Sequence, residues 1–263
     1  MIFPFRRFVY LLLIFQILSC SKSSSVKTVT PPTTPPATPA TPVVDSVVKN
    51  CQITGAYTTS SAGDTTYYYT YTYNTDGRIS GSVYKNANSG SNYSVSFSYS
   101  GNMIYRAVDA GANSSVDTIT LNANGMVEKY KTVIGSFNYI TNFTYDANQQ
   151  LTTFTQQQDA YPPISSHYSF TNGDNTLATA DNFPSDTLDY DLTKTAVHGN
   201  QDEVNQLLVL GAMYIKNKHL LVSSRHGSTA LYSYEFNGDG NISAVKLTVS
   251  NGFIITHFTY NCK

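Results

Sequence analysis

A chain of 263 residues with 16 Lys and Arg against 17 Asp and Glu is close to neutral, and only 13% of it is charged. No basic cluster occurs, which excludes nucleic acid as a partner. Tryptophan is absent while Tyr and Phe number 21 and 13, a bias that favours strands over helices.

Residues 1–19 read as a secretory signal. Arg6-Arg7 form a basic head, an apolar run follows from Phe8, and Ile17-Leu18-Ser19 leads to Cys20. The run is shorter than the roughly 20 residues a bilayer span needs. The ending resembles a bacterial lipobox, which implies cleavage before Cys20 and acylation of its thiol, palmitate included. An ordinary signal peptide cut nearby, or a short anchor helix, would have a similar run. By resemblance to bacterial sorting rules, Ser21 favours the outer membrane, and the missing acidic run favours the periplasmic side over the cell surface.

Residues 20–50 form a tether. The segment from Val26 to Pro42 holds six of the ten prolines among Thr, Ala and Val. Such a stretch cannot bury enough apolar surface to offset its chain entropy. Extended at about 3.1 Å per residue, it reaches roughly 50 Å.

Residues 51–262 are long enough for one core. They carry 10 Lys and Arg and 16 Asp and Glu, so 10 − 16 gives a net charge of −6. Beside Cys20, the two remaining cysteines stand at the first and last positions of this region. In an oxidising compartment such a pair reads as a disulfide, Cys51–Cys262, with neither a CxxC nor a metal-ligand spacing.

The region is built on a repeat. Tyr71-Thr72-Tyr73-Asn74-Thr75-Asp76-Gly77-Arg78-Ile79 runs aromatic-x-aromatic, then an Asn/Asp/Gly turn, then an aliphatic that opens the return strand. Related units begin at Phe97, Ile119, Phe143, Tyr168 and Tyr234, and Phe258-Thr259-Tyr260-Asn261 is half a unit. Spacings of 22 to 26 residues fit one β-hairpin each. Tyr67, Tyr69, Tyr71 and Tyr73 share a strand face, as do Tyr93, Val95, Phe97 and Tyr99, while Ser and Thr fill the other face.

The predicted fold is therefore all-β: an antiparallel meander of about a dozen strands, closing into a barrel-like or sandwich-like sheet. The C-terminal half-unit needs a partner strand, and Gln52-Ile53-Thr54 is the nearest sequence free to supply it. An insertion at 182–228 interrupts the repeat and would fill a wide barrel. Within it, Asn200 to Glu203 resembles a helix N-cap with Glu at the third position, and Gly211 would end the short helix.

Two family resemblances rest on these residues. The aromatic-x-Tyr-Asn/Asp-x-x-Gly-x-aliphatic unit is similar to the YD repeats of bacterial wall-associated and toxin-shell proteins. The layout as a whole, with Gly211 and Lys216-Asn217-Lys218 before the last hairpins, resembles lipoproteins of Bacteroidota with a domain of unknown function and a porin-like fold. That resemblance implies a β-meander and an envelope location, and it brings no catalytic residues. Asp45-Ser46-Val47, Asp64-Thr65-Thr66, Asp117-Thr118-Ile119 and Asp186-Thr187-Leu188 resemble O-glycosylation acceptors of the same bacteria.

Chemistry is sparse. No Gly-x-Ser-x-Gly occurs, and the five histidines show no ligand spacing. Asn237-Gly238-Asp239-Gly240-Asn241 looks like the start of a calcium loop but lacks the later Gly and Glu, so it reads as a turn. Asp181, Asp186, Asp189 and Asp191 form the densest acidic cluster, able in principle to hold a ligand or metal or to serve glycoside hydrolysis. The expectation is a monomeric, lipid-anchored, non-catalytic module without cofactor that contacts a glycan or peptide through exposed tyrosines. A glycosidase and a transmembrane barrel are the alternatives.

Overall fold

The computed structural model describes residues 51–111, 114–181 and 183–262. Cys20, the tether and the acceptor-like Asp45-Ser46-Val47 lie outside the described residues. The chain divides into two units, Met1–Val47 and Val48–Lys263, and the second is the β domain.

That domain is a closed barrel of sixteen antiparallel strands in sequence order. Its first half comprises β1 (Cys51–Ser60), β2 (Thr65–Tyr73), β3 (Ile79–Asn86), β4 (Asn92–Ser100), β5 (Met103–Asp109), β6 (Ser115–Leu121), β7 (Val127–Ile134) and β8 (Phe137–Tyr145). The second half comprises β9 (Leu151–Gln158), β10 (Ile164–Thr171), β11 (Asp174–Ala180), β12 (Phe183–Thr195), β13 (His219–His226), β14 (Ser228–Phe236), β15 (Ile242–Val249) and β16 (Gly252–Cys262). Closure excludes the sandwich and leaves no open edge.

Sixteen strands exceed the expected dozen because the interruption is narrower than 182–228. Residues 183–195 and 219–226 are wall strands, and only 196–218 leave the wall. Leu188 and Tyr190 alternate inward along β12, but Pro184 and four nearby aspartates hide that period in the sequence.

Each repeat unit is a hairpin, and all but the one beginning at Phe97 have a built-in bulge. In those units the register slips at the third residue, at Thr72/Tyr73, Thr120/Leu121, Thr144/Tyr145, Ser169/Phe170 and Glu235/Phe236. One extra residue in the return strand bends it locally. The turns are closed by side chains: Asn122, Asp146 and Asn237 each accept two backbone amides, from the residues two and four further on. Asn237 to Asn241 is thus a turn of the repeat.

The split unit at the seam repeats this geometry. Tyr260 pairs with Ile53 and Thr259 with Gly55, skipping Thr54. In the first unit Tyr73 pairs with Ile79 and Thr72 with Gly81, skipping Ser80. A β-carbon on Gly55 would lie 2.8 Å from Thr259 Oγ1, and one on Gly81 would lie 3.0 Å from the Val95 carbonyl. Both positions demand glycine for close approach. Cys51 faces Cys262 in register, and the two form a disulfide with Cα atoms 4.0 Å apart.

The core is a ring at one end of the barrel. Ile53, Ile79, Ile104, Val127, Leu151 and Ile242, the return-strand aliphatics, are each no more than 2% exposed. Aromatic faces point inward and hydroxyl faces outward. On β4, Val95 and Phe97 are buried while Ser94, Ser96 and Ser98 are exposed.

Candidate functional site

The segment 196–218 plugs the barrel at the end carrying the repeat turns. Its helical turns run over 201–210, π-helical at Glu203–Leu207 and α-helical at Leu208–Leu210. Asn200 Oδ1 accepts the Glu203 amide at 3.1 Å, and Glu203 Oε2 reaches back to the Gly199 amide at 2.7 Å. Gly211 ends the helix at φ 79°, packed so closely that an added β-carbon would lie 3.1 Å from Phe97. Leu208, Leu210, Ala212 and Ile215 bury the apolar side of the plug.

Polar side chains brace the plug internally and fasten it to the wall. Gln206 Oε1 accepts the Tyr214 and Ile215 amides, both at 2.7 Å. Asp174 Oδ1 accepts the Lys218 and His219 amides at 2.8 Å, and its Oδ2 meets His219 Nδ1 at 2.6 Å. Asp202 accepts the Asn217 amide at 2.9 Å and the Asn217 side chain at 3.1 Å. Backbone bonds from Val127 to Met213 and from Ile242 to His198 join plug and barrel from two further strands.

The carboxyl of Asp202 is pushed up to about 6, first by desolvation and then by the Asp174 charge, against the lowering effect of the Asn217 bonds. The Glu203 carboxylate raises His198. Burial pushes the Tyr190 and Tyr214 hydroxyls far up, so both stay neutral donors.

Beyond the plug the inward side chains are partly exposed and rich in tyrosine. Tyr67, Tyr84 and Tyr93 stack in sequence across β2, β3 and β4, with ring centroids 5.6 and 4.5 Å apart. Across the ring of strands, His226 Nδ1 lies 2.5 Å from Asp186 Oδ1. Desolvation raises the Asp186 carboxyl, and His226 partly offsets it. The alternating aromatic faces are turned into the barrel, as a meander with one buried face predicts, and among the described residues Tyr57, Tyr68, Tyr105 and Tyr161 are the exposed tyrosines.

The four clustered aspartates do not converge. Asp186 points inward, whereas Asp189 and Asp191 fall on the opposite parity of the same strand. Asp189 takes Ser223 Oγ at 2.6 Å, Asp191 takes Thr193, and Asp181 accepts the Ser165 amide at 3.1 Å. Each carboxylate has a separate structural partner. His219 and His226 each pair with their own aspartate. Cys51, Cys262 and Asp239 lie close together, but the disulfide consumes both thiolates a metal would need.

Sequence reasoning missed the buried ion pair of Arg106 and Asp117. Arg106 Nη1 donates to Asp117 Oδ2, to which the Tyr130 hydroxyl also donates at 3.0 Å. Arg106 is 7% exposed and Asp117 fully buried. The only signal was parity: both stand at inward positions of their strands.

A cleft of about 300 Å³ opens between plug and wall. Leu207, Ala212 and Met213 of the plug face Met103, Ile104 and Leu121 of the wall across it. Arg78 and Lys216 supply its only charged groups.

The fold and its plug define the class: a closed sixteen-stranded antiparallel barrel with a helical plug at one end. The structure is similar to a porin-like protein from Bacteroides uniformis, with a TM-score of 0.62 and 14% identity, covering 80% of this chain and 96% of that one. It is also similar to a porin-like protein from Bacteroides vulgatus, with a TM-score of 0.53 and 12% identity over 80% of this chain and 98% of that one. No protein-family model matches the sequence, and no curated protein matches it.

Proposed function

We propose that this chain is a lipid-anchored, non-catalytic binding module of the bacterial outer membrane, related to the porin-like lipoproteins of Bacteroidota. Its barrel stands in water, on the periplasmic side, at the end of the tether. One observation carries this reading: aliphatic and aromatic side chains concentrate inside the barrel, while the outer face is largely polar, with Tyr68, Val83, Tyr105, Val116, Val133 and Leu231 interspersed on it. A membrane-spanning barrel needs the reverse, with an outward apolar band about 25 Å tall. The outward positions here are Ser94, Ser96 and Ser98 on β4, Lys129 and Lys131 on β7, and Glu235 on β14. Lysine on a lipid-facing wall costs about 2–4 kcal/mol at the bilayer midplane.

The ligand reading rests on the Tyr67–Tyr84–Tyr93 stack beyond the plug, a flat aromatic surface with hydroxyls suited to a sugar ring or an extended peptide. The test has two arms. Labelled palmitate should enter the chain in a bacterial host and be lost in Cys20→Ala, which should also leave the membrane fraction. A glycan array and a peptide library should give hits that Tyr84→Ala and Tyr93→Ala remove. Labelling that persists in Cys20→Ala rejects the anchor, and a blank survey rejects the binding role.

A further inference from the structure

We propose that the cleft between plug and barrel wall binds a small amphipathic anion, an acyl chain ending in a carboxylate. This does not rest on the glycan-or-peptide reading, which concerns the opposite end of the barrel.

Both sides of the cleft are apolar, and two of the lining residues are methionines, Met103 and Met213, whose unbranched thioethers adapt to a flexible chain. The turn residues Gly101 and Gly125 also line it, and no atom lies within 4 Å of where their β-carbons would stand, so the cleft is open on that side. A volume of about 300 Å³ is at the lower end for ligand sites and suits a medium-length chain rather than a whole phospholipid.

The charges then select the head group. The Arg78 guanidinium lies 4.1 Å above the Tyr99 ring and is held by Asp76 through Nε at 2.8 Å and Nη2 at 2.6 Å. That leaves Nη1 free of this pair, on an arginine fixed in place. Lys216 makes no ion pair among the described residues. Since Asp76 balances Arg78, the mouth carries one uncompensated positive charge. The region from Cys51 to Cys262 carries −6 overall, so this is a local reversal of sign beside apolar walls. A carboxylate between Lys216 and Arg78, with its chain between Met103 and Met213, satisfies both features.

Two sources could present this chemistry: a free fatty acid, or acyl chains and anionic head groups at a membrane surface. The size of the cleft favours the free acid. The experiment titrates the purified full chain with decanoate, decanol and decyltrimethylammonium by calorimetry, and follows methionine methyl resonances. Vesicles of phosphatidylglycerol form a parallel arm. Decanoate should bind at least tenfold more tightly than the other two and shift the Met103 and Met213 methyls. Lys216→Glu should weaken it at least tenfold, and Lys216→Arg should retain it, with far-UV spectra unchanged since Lys216 is exposed. Equal affinity for decanol, an unaffected Lys216→Glu, methyl shifts confined to Met126, or binding to vesicles without binding to decanoate would overturn the proposal.

Discussion

The Tyr73 hydroxyl donates to the Ile53 carbonyl at 2.7 Å, twenty residues back, as the Tyr99 hydroxyl donates to the Ile79 carbonyl at 2.8 Å, also twenty residues back. Tyr145 makes the same bond to Val127, and Tyr260 to Ile242. Every repeat unit whose second aromatic is tyrosine forms this latch; Leu121, Phe170 and Phe236 have no hydroxyl to donate. Ile53 therefore stands in the N-terminal strand where Ile79 stands in the first return strand. The last unit is completed from the other end of the chain.

Removing one latch should have a measurable cost. Tyr73→Phe leaves the ring packed but strands a carbonyl beside a fully buried Ile53. A loss of about 1.5 kcal/mol is expected, lowering Tm by roughly 3–6 °C for a domain of this size. Tyr68→Phe, on the exposed outer face of the same strand, should leave Tm unchanged. Equal effects of the two variants would reject the latch.

The Cys51–Cys262 bond closes nearly the whole domain into one loop. On the chain-entropy account a loop of this length contributes about 5 kcal/mol. Cys51→Ser with Cys262→Ser should lower the chemical denaturation midpoint. It should not change the far-UV spectrum at room temperature, because backbone pairing of β1 with β16 continues from Gln52 to Ser60. Loss of strand signal on reduction would mean that the disulfide, rather than the pairing, closes the barrel.

Asp202 makes stability depend on pH in a defined direction. Its folded value near 6 lies above the ordinary value of 3.8, so the native state binds the proton more tightly. Its cost to stability is absent below about 3.8, grows as pH rises to 6, and is complete above that. At most this is on the order of 3 kcal/mol. His198, raised by Glu203, acts in a higher window, losing its contribution as pH climbs above the ordinary histidine value. Denaturation of Asp202→Asn between pH 4 and 6 should show a flatter slope than the parent, and an unchanged slope would rule out this assignment.

Breaking the Arg106–Asp117 pair should cost more than replacing it. Arg106→Ala leaves a buried carboxylate with Tyr130 as its remaining partner, a loss of about 3–5 kcal/mol. Arg106→Met combined with Asp117→Leu should recover most of it in urea denaturation, because the desolvation cost goes with the charges. A double variant as unstable as the single one would show that the pair is needed for more than charge balance.

Much of the barrel was legible because its signals are local. Alternation along β2 and β4, the Asx turns, the cap at Asn200 and the stop at Gly211 each lie within a few residues. The seam was legible too, since a half-unit at one end and a lone Ile53 at the other imply each other. β12 and β13 were not, because they lack the aromatic-x-aromatic signature and acidic residues mask their period. The plug anchors escaped for another reason: Asp174 and Asp202 bind amides at 217–219 that are distant in sequence. The cationic cleft likewise joins Arg78 to Lys216, far apart in the chain.

The central claim is that the outer wall of the barrel faces water, and sedimentation of the chain from Val48 onward in detergent-free buffer tests it most directly. The account predicts a single monodisperse species whose Tm does not change when detergent micelles are added. Aggregation without detergent, relieved only when micelles coat the wall, would contradict it.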